Sequence, residues 1–600
     1  MKMDLKTQIK QEIEKLLKQS DLLKFDSITE TLESPPNPEM GDIATNISFS
    51  LAKKLGKSPV KISEEILEKI KLPKDSLIDK IETKGGYINF FLNYEKISEN
   101  LLQIIQKEKG KYGSSDFGKK QKLMIEYSQP NPNKPMHIGH VRNNFLGMSV
   151  NNILSFAGYE TIPVNWINDR GAHICKSMLG YLLWGRKNEK NQGKDWGQIL
   201  DEWLKSENEW LTPKDADKKS DFFVLDYYVK ASDEMEKNEN LDKQNREMLQ
   251  AWENKDPKVR KLWKKTVNWV YDGWEETYKR QNCIFKKYYY ESEIYERGRE
   301  AVMNNLGDLF KKTEKGTIIA DLEKYGLPGM VFIRSDGTTL YQTADLPLSE
   351  HKVKDYPNAK YIWVVGSAQK LYFQQLFLVF DLLKIMKKED CYHLAYGMVS
   401  LPEGTMSSRK GRAVWADELM DEIHDLVGKE VEKKNPELDK KKKYEIAEKI
   451  ALGAIKYAML KIDAFKDIIF DPKEVINFEG NTGPYLQYAH VRADKILQKA
   501  GKFKETYQPK ELMNEEKMLI KKLLEFPEVV ERSAKEYKPN LIANYAYDLS
   551  ETFNAFYHAC PVLQAEDEKT KNFRLTLVKA FKTTLKNSLT LLGIETPEIM

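Results

Sequence analysis

The stretch that decides the fold is Lys122-Leu-Met-Ile-Glu-Tyr-Ser-Gln-Pro-Asn-Pro-Asn-Lys-Pro-Met-His-Ile-Gly-His140. Lys122 to Tyr127 reads as a buried strand, broken by Pro130, Pro132 and Pro135, since proline cannot donate to a ladder. Val141 to Phe156 has helical apolar spacing, and Thr161 to Ile167 reads as a second strand. Strand, turn, helix and strand within about 45 residues make a parallel βαβ unit, the start of a doubly wound, Rossmann-like α/β sheet. Runs at Met330–Arg334, Lys360–Val365 and His393–Val399 are expected to complete that sheet. Such a sheet binds ligand beyond its strands' carboxyl ends, beside a helix N-terminus, which is where His137 and His140 fall.

Outward from this core the texture changes. Residues 1–115 read as an α+β module, with helical spacing at Leu5–Leu17 and Ile43–Leu55 and a strand ending at Leu92. Lys109 to Lys120 reads as a linker before the doubly wound unit, which is expected over 116–420. About 175–300 reads as a helical insertion, rich in Lys, Asp, Glu and Trp. A helical connector is expected over 421–475, with Lys433 to Lys449 as a solvated face, and an all-helical unit over 476–600. Helix patterns fall at about Ile446–Ile462, Leu486–Ala500, Leu541–Phe556 and Leu575–Leu592, and no internal repeat is visible.

Composition sets the outer limits. The 600 residues carry 95 Lys+Arg against 91 Asp+Glu, a net charge of +4 with 31% charged residues. That length suggests three to five units with their own cores. The near-neutral balance excludes a histone-like grip on nucleic acid by bulk charge, though not a local basic face. The start lacks the apolar core of a secretory signal, and no apolar run is long enough to span a membrane. Cys175, Cys283, Cys391 and Cys560 form no CxxC pair, so no disulfide framework or structural metal is expected, and the chain reads as cytoplasmic.

His137 and His140, three apart, share one face of a first helical turn, and Gly139 leaves room for a nucleotide to approach the backbone. Two imidazoles beside a helix N-terminus suit hydrogen bonding to a phosphate whose charge grows in a transition state. A metal pair of the zincin kind would need i,i+4 spacing and an adjacent Glu, which are absent. The tetrad His-Ile-Gly-His resembles the signature of class I aminoacyl-tRNA synthetases. Gly404-Thr-Met-Ser-Ser-Arg-Lys-Gly-Arg412 follows late, as a small-residue loop whose cations could meet a pyrophosphate leaving group.

The surroundings narrow the resemblance to the arginyl-tRNA synthetase family. It rests on Ser128 to Asn143, Asn165-Trp-Ile-Asn-Asp-Arg-Gly171, Ser335 to Asp345, Gly480 to Arg492 and the ending Leu591 to Met600. The resemblance implies ATP with Mg2+, L-arginine and tRNA(Arg) as substrates, arginyl-adenylate as intermediate, and transfer to the terminal adenosine's 2′-hydroxyl. It further implies that activation waits for bound tRNA, and that the chain acts as a monomer.

For the site, it implies a catalytic group of His137, His140, Lys134 and Lys410, with Gly139, Met406, Ser407, Ser408 and Arg409 at ATP. Ser408 stands where many class I loops carry a lysine, so Lys134 and Lys410 are two candidates to replace it. The resemblance assigns arginine to Glu126, Asn131, Tyr341, Asp345 and Gln369. A guanidinium has five donors and a fixed charge, so carboxylates and neutral acceptors suit it; Asp345 could instead cap a helix or pair internally. Tyr372 departs from a family position often held by His. The resemblance places tRNA at Tyr87 and Asn89, in a module for the tRNA elbow that also carries Gly41-Asp42. It places the anticodon loop in a DALR-type helical domain at Tyr485, Tyr488, Arg492, Asn554, Tyr557 and Met600. Aromatics with arginine can stack unpaired bases there, although aromatics at helical spacing also build cores. The rival readings are another class I synthetase and a tRNA-binding paralogue without catalysis.

Overall fold

The structure, a computed structural model, describes residues 5–23, 31–188, 194–402 and 414–600. It opens with helix α1 (Leu5–Leu17), strands β1 (Leu32–Glu33) and β2 (Ile43–Thr45), helices α2 (Ile47–Leu55) and α3 (Pro59–Lys69), strands β3 (Ile78–Lys84) and β4 (Tyr87–Leu92), and α4 (Tyr94–Glu108). The four strands form an antiparallel sheet in the order β1-β2-β4-β3. Ile43–Leu55, expected as one helix, is a strand followed by a helix. Ladder pairing of Ile43 with Phe90 and Thr45 with Ile88 overrides the local spacing. Asp42 holds the turn by accepting the Leu92 N–H at 3.0 Å and the Tyr94 hydroxyl at 2.5 Å. Gly41 is required beside it: its φ is +95°, and a Cβ would lie 2.8 Å from the Phe90 carbonyl oxygen.

The expected linker is packed rather than free. Tyr112 is buried and donates to the Leu523 carbonyl at 2.7 Å, while Asn587 donates to the carbonyls of Lys109 and Tyr112 at 3.0 Å. Gly113 serves close approach to the C-terminal helices, where a Cβ would meet the Phe526 ring at 2.4 Å, and Gly118 packs on Tyr159, with a Cβ there 2.5 Å from its ring.

The central unit begins with β5 (Lys122–Glu126), α5 (Ile138–Phe156) and β6 (Glu160–Ile167). The insertion follows as α6 (Ala172–Trp184), α7 (Trp196–Lys205), α8 (Ser220–Met235), α9 (Glu239–Glu253) and α10 (Pro257–Gln281). Its apolar faces close over Trp203, Trp210, Trp252 and Trp274, all fully buried, which explains the tryptophan enrichment. The chain rejoins the main sheet at β7 (Lys287–Tyr290), so the helical insertion ends before 287 and not near 300.

Next come α11 (Glu291–Asn304), β8 (Phe310–Lys312), β9 (Ile318–Ala320), β10 (Met330–Ile333), α12 (Tyr341–Asp355), β11 (Lys360–Gly366), α13 (Lys370–Leu382), β12 (Cys391–Tyr396) and β13 (Val399–Ser400). The main sheet has the order β12-β11-β5-β6-β7 and is parallel throughout. Met330–Ile333, expected in it, belongs instead to a small antiparallel sheet with β9 and β8. Its apolar alternation is satisfied by packing Phe332 against Phe310, so burial alone did not specify the partner strand. The run expected at His393–Val399 divides at Gly397 into β12 and β13.

The rest is helical: α14 (Ala416–Lys434), α15 (Lys440–Leu460), the short strand β14 (Ile468–Ile469) paired to β13, α16 (Pro472–Val475), α17 (Gly483–Ala500), α18 (Asn514–Glu536), α19 (Pro539–Ala559) and α20 (Glu568–Leu591). The charged run 433–449 is not one face, because Asn435 to Asp439 separate α14 from α15. Helix α18 is one that the apolar pattern left unmarked, and Pro527 inside it is the break signal that hid it.

One buried guanidinium ties these parts together. Arg142 of α5 donates through Nη1 to the carbonyls of Gly397 and Met398 (2.5 and 3.3 Å), and through Nη2 to those of Ala464 and Lys466 (2.9 and 2.6 Å). The first pair lies in the turn between β12 and β13, the second in the segment leading from α15 to β14. Among the described residues no helix is long and apolar enough to cross a membrane.

Candidate active site

In the main sheet the strand order reverses direction between β5 and β11, and the site is built there. After β5 the backbone makes an unusual elbow: Ser128 and Gln129 both have left-handed φ, 81° and 49°. Two buried asparagines hold this strained pair. Asn143 Oδ1 accepts the Ser128 N–H at 2.7 Å, and Asn165 Oδ1 accepts the Gln129 N–H at 3.0 Å. Asn143 also donates to the Val364 carbonyl of β11 at 2.9 Å, spanning the switch point. The elbow turns Gln129 back, so that its Nε2 donates to Glu126 Oε1 at 3.0 Å.

The loop then enters α5 with His137 as N-cap and His140 in the first turn, so His137 lies just outside the helix rather than within its first turn. The two side chains meet nonetheless, with ring centroids 3.9 Å apart. His137 Nδ1 accepts the Gly139 N–H and His140 Nδ1 accepts the His137 N–H, each at 3.1 Å. With both Nδ1 atoms accepting, each neutral ring carries its proton on Nε2. Burial, reinforced by Lys134, holds His137 down to about 4. Burial, then His137 and Lys134, holds His140 well below the usual imidazole range. The pair is therefore neutral at physiological pH and offers two N–H donors at a helix N-terminus. Gly139 has a second reason to be glycine: a Cβ would lie 2.9 Å from His137 Cε1.

Lys134 is half-buried on the preceding loop, and burial lowers its ammonium below the ordinary value. Lys410, with Met406, Ser407, Ser408 and Arg409, lies outside the described residues. Described residues beyond that loop do reach the tetrad. The Ile138 N–H donates to the Val414 carbonyl at 2.9 Å, and the Ala416 N–H to the Met136 carbonyl at 2.8 Å.

The carboxylates assigned to arginine converge from two elements. Glu126 ends β5 and is buried, while Asp345 lies one turn into α12. Burial, with the nearby charge of Glu126, raises Asp345 to about 6, against a hydrogen bond from Tyr372 and the charge of Lys352. Tyr341 is 74% exposed, Gln369 is exposed in the turn after β11, and Asn131 is half-buried in the proline-rich loop. Among the described residues none of these three hydrogen-bonds either carboxylate, and Tyr341 and Gln369 are more exposed than Glu126 and Asp345.

Sequence reasoning missed several residues of this site. Tyr372 was noted only as a departure, yet its hydroxyl donates to Asp345 Oδ2. Lys352 pairs with Glu126 across 226 positions. Asn143 and Asn165 had a visible signal, since each is a polar residue inside an apolar helix or strand. His173 had none; it is half-buried, its Nε2 has no hydrogen-bond partner among the described residues, and burial lowers it to about 4, with Lys134 contributing. Asn168-Asp-Arg170 fastens the insertion. Asp169 accepts the Ser292 N–H (2.8 Å) and hydroxyl (2.7 Å), and Arg170 pairs with Glu253 at 2.5 Å and Glu291 at 3.4 Å.

At the far end, α17 and α19 bring the aromatic and arginine candidates into one cluster. Arg492 donates to Asn554 Oδ1 at 2.9 Å and to the Tyr488 hydroxyl at 3.4 Å. Its guanidinium lies 4.9 and 5.7 Å from the Tyr488 and Tyr557 rings. Asn554 donates to the Tyr485 hydroxyl at 2.6 Å. Tyr557 is exposed and Met600 is partly buried against the bundle. In the N-terminal sheet Tyr87 is exposed against Phe49 (5.1 Å between rings), whereas Asn89 is only 4% exposed. A direct tRNA contact therefore suits Tyr87 and not the side chain of Asn89 as it stands.

Three families match along the chain: "Arginyl tRNA synthetase N terminal domain" over 3–92, "tRNA synthetases class I (R), catalytic domain" over 100–209 and 190–472, and "DALR anticodon binding domain" over 486–600. An arginine–tRNA ligase of Treponema denticola is 39% identical, covering 95% of this chain and 94% of that protein. One from Porphyromonas gingivalis is 38% identical, with 93% of each covered. The solved structure of Thermus thermophilus arginyl-tRNA synthetase superposes with a TM-score of 0.77 at 27% identity, covering 98% of this chain and 100% of that one.

Proposed function

The chain belongs to the arginyl-tRNA synthetase family, and from that membership we propose how its residues divide the work. It joins L-arginine to tRNA(Arg) at the expense of ATP, through the class I reaction. Residues 1–115 serve the tRNA elbow, 116–420 catalysis, 421–475 connection and 476–600 the anticodon.

The arginine carboxylate attacks the α-phosphate of ATP, which enters with Mg2+ as substrate. The bond to pyrophosphate breaks as the carboxyl–phosphate bond forms, with no covalent enzyme intermediate. The Nε2–H groups of His137 and His140 donate to the phosphate oxygens, and Lys134 or Lys410 supplies a cation. The 2′-hydroxyl of the terminal adenosine then attacks the adenylate and releases AMP. Arg492, Tyr488, Tyr557, Tyr485 and Asn554 hold the anticodon loop, and Tyr87 stacks at the elbow. Activation waits for bound tRNA, and the chain works as a cytoplasmic monomer.

One observation carries the amino-acid assignment: a half-buried Asp345, held by Tyr372 and close to the charge of Glu126 at the end of β5. Purified protein with ATP and tRNA, tested with each amino acid in turn, is expected to charge arginine alone. Charging by another amino acid would overturn the arginine reading, and charging by none would leave a tRNA binder.

The titration of Asp345 adds a pH test. Since kcat/KM reports the free enzyme, kcat/KM for arginine should fall about tenfold per unit below roughly pH 6 and be level above it. The folded value is raised above 3.8, so protonation between 3.8 and about 6 favours the folded state. The acid loss at Asp345 is thus a loss of binding and not of fold. A flat profile down to pH 5 would remove Asp345 from the pocket.

A further inference from the structure

Glu126 arrives through β5, whereas Lys352 sits seven residues after Asp345, two turns along the same side of α12. Lys352 is 1% exposed, and its ammonium pairs with Glu126 Oε2. The Trp363 ring covers that ammonium, with its centroid 5.1 Å from Nζ. The other oxygen, Oε1, already accepts from Gln129 at 3.0 Å. Both oxygens of Glu126 are therefore engaged by the protein before any substrate arrives. Asp345 is held differently: Tyr372 donates to Oδ2, and Oδ1 has no hydrogen-bond partner among the described residues.

When ionised, these three groups carry two negative charges and one positive. We propose that Lys352 is a specificity-determining positioning residue that fixes and neutralises Glu126, so that the arginine pocket presents one net negative charge, at Asp345. The proposal rests on the reading of this pocket as the arginine site.

The physical need is clear. Two uncompensated carboxylates in a dry site share a proton rather than ionise together. A pocket in that state would accept the neutral ureido group of citrulline, an isostere of arginine, almost as readily. With Lys352 in place, a single guanidinium completes the neutralisation. A neutral side chain leaves one buried charge without a partner, which is the stronger form of discrimination.

A double-mutant cycle on the full chain, with tRNA and ATP, tests this. Glu126→Gln, Lys352→Met and the double variant are compared by KM for arginine, kcat, KM for ATP, and inhibition by citrulline. Glu126→Gln leaves the ammonium unpaired beside the guanidinium and is expected to raise KM for arginine about 100-fold. Adding Lys352→Met removes that ammonium, restores one net negative charge, and is expected to recover about tenfold of the loss. Preference for arginine over citrulline should fall in Glu126→Gln and return in the double variant, with KM for ATP within about twofold throughout. A purely structural pair would instead restore kcat, KM for ATP and thermal stability together, without the selective recovery in arginine.

Lys352→Met alone leaves a buried carboxylate unpaired. If it does not fold, the comparison of Glu126→Gln with the double variant still decides. A double variant no better than Glu126→Gln overturns the proposal while leaving the pocket assignment intact. Unchanged KM for arginine in every variant overturns both.

Discussion

Replacing Asp345 by asparagine is expected to lower kcat/KM for arginine by about 1000-fold, or about 4 kcal/mol, with the loss in KM for arginine and not for ATP. Asparagine keeps the size of the side chain and an oxygen to accept from Tyr372, so the helix and its packing should survive. What disappears is the charge. Glu126 cannot take over, because Lys352 and Gln129 already engage its two oxygens. The guanidinium would then enter a pocket of zero net charge and lose water without an ionic partner, which is costly. Steady-state kinetics at saturating ATP and tRNA measure the effect. A change of less than tenfold would place the arginine elsewhere.

The second large effect is at His140. His140→Ala is expected to cost about 100-fold or more in aminoacylation, while tRNA affinity stays nearly intact. The ring offers a donor whose value lies in the transition state, when charge accumulates on the α-phosphate. It also accepts the His137 N–H, so alanine frees one end of the reciprocal cap; that structural part is worth about 1 kcal/mol. Filter binding of tRNA separates the two contributions, since the Arg492 cluster is carried by α17 and α19, far along the chain. Near-normal turnover would sink the catalytic assignment. Because burial keeps both imidazoles neutral, the rate should also lack a histidine titration near 6.5. In the unfolded chain these rings protonate below that value, so falling pH draws stability away through them.

These two residues were legible for different reasons. The tetrad announces itself because its neighbours are local: strand, proline-rich turn and helix follow one another, and short-range sterics place the imidazoles at the helix N-terminus. Asp345 was legible through its motif and its apolar setting, but its partners were not. Tyr372 lies 27 residues away and Lys352 pairs with a residue 226 positions earlier. No periodicity encodes such a meeting; it exists only once β5, α12 and α13 are packed against one another. Pattern reading failed for the same reason at Met330–Ile333, where an apolar strand needs a covered face but does not name the strand that covers it.

By itself, then, the sequence determined the doubly wound core, the tetrad at its first turn, the family and the reaction. The core and the placing of the tetrad rest on contiguous residues whose backbone preferences and hydrophobic spacing act over short range, and the family and reaction rest on the resemblance of its motifs. The tertiary structure alone decided the order of strands in the main sheet, the packing of the linker against the C-terminal helices and the anchoring role of Arg142. It also decided that Lys352 engages Glu126 before arginine arrives. Each of these is a long-range pairing of buried polar groups, and burial forces such groups to find partners wherever the fold brings them.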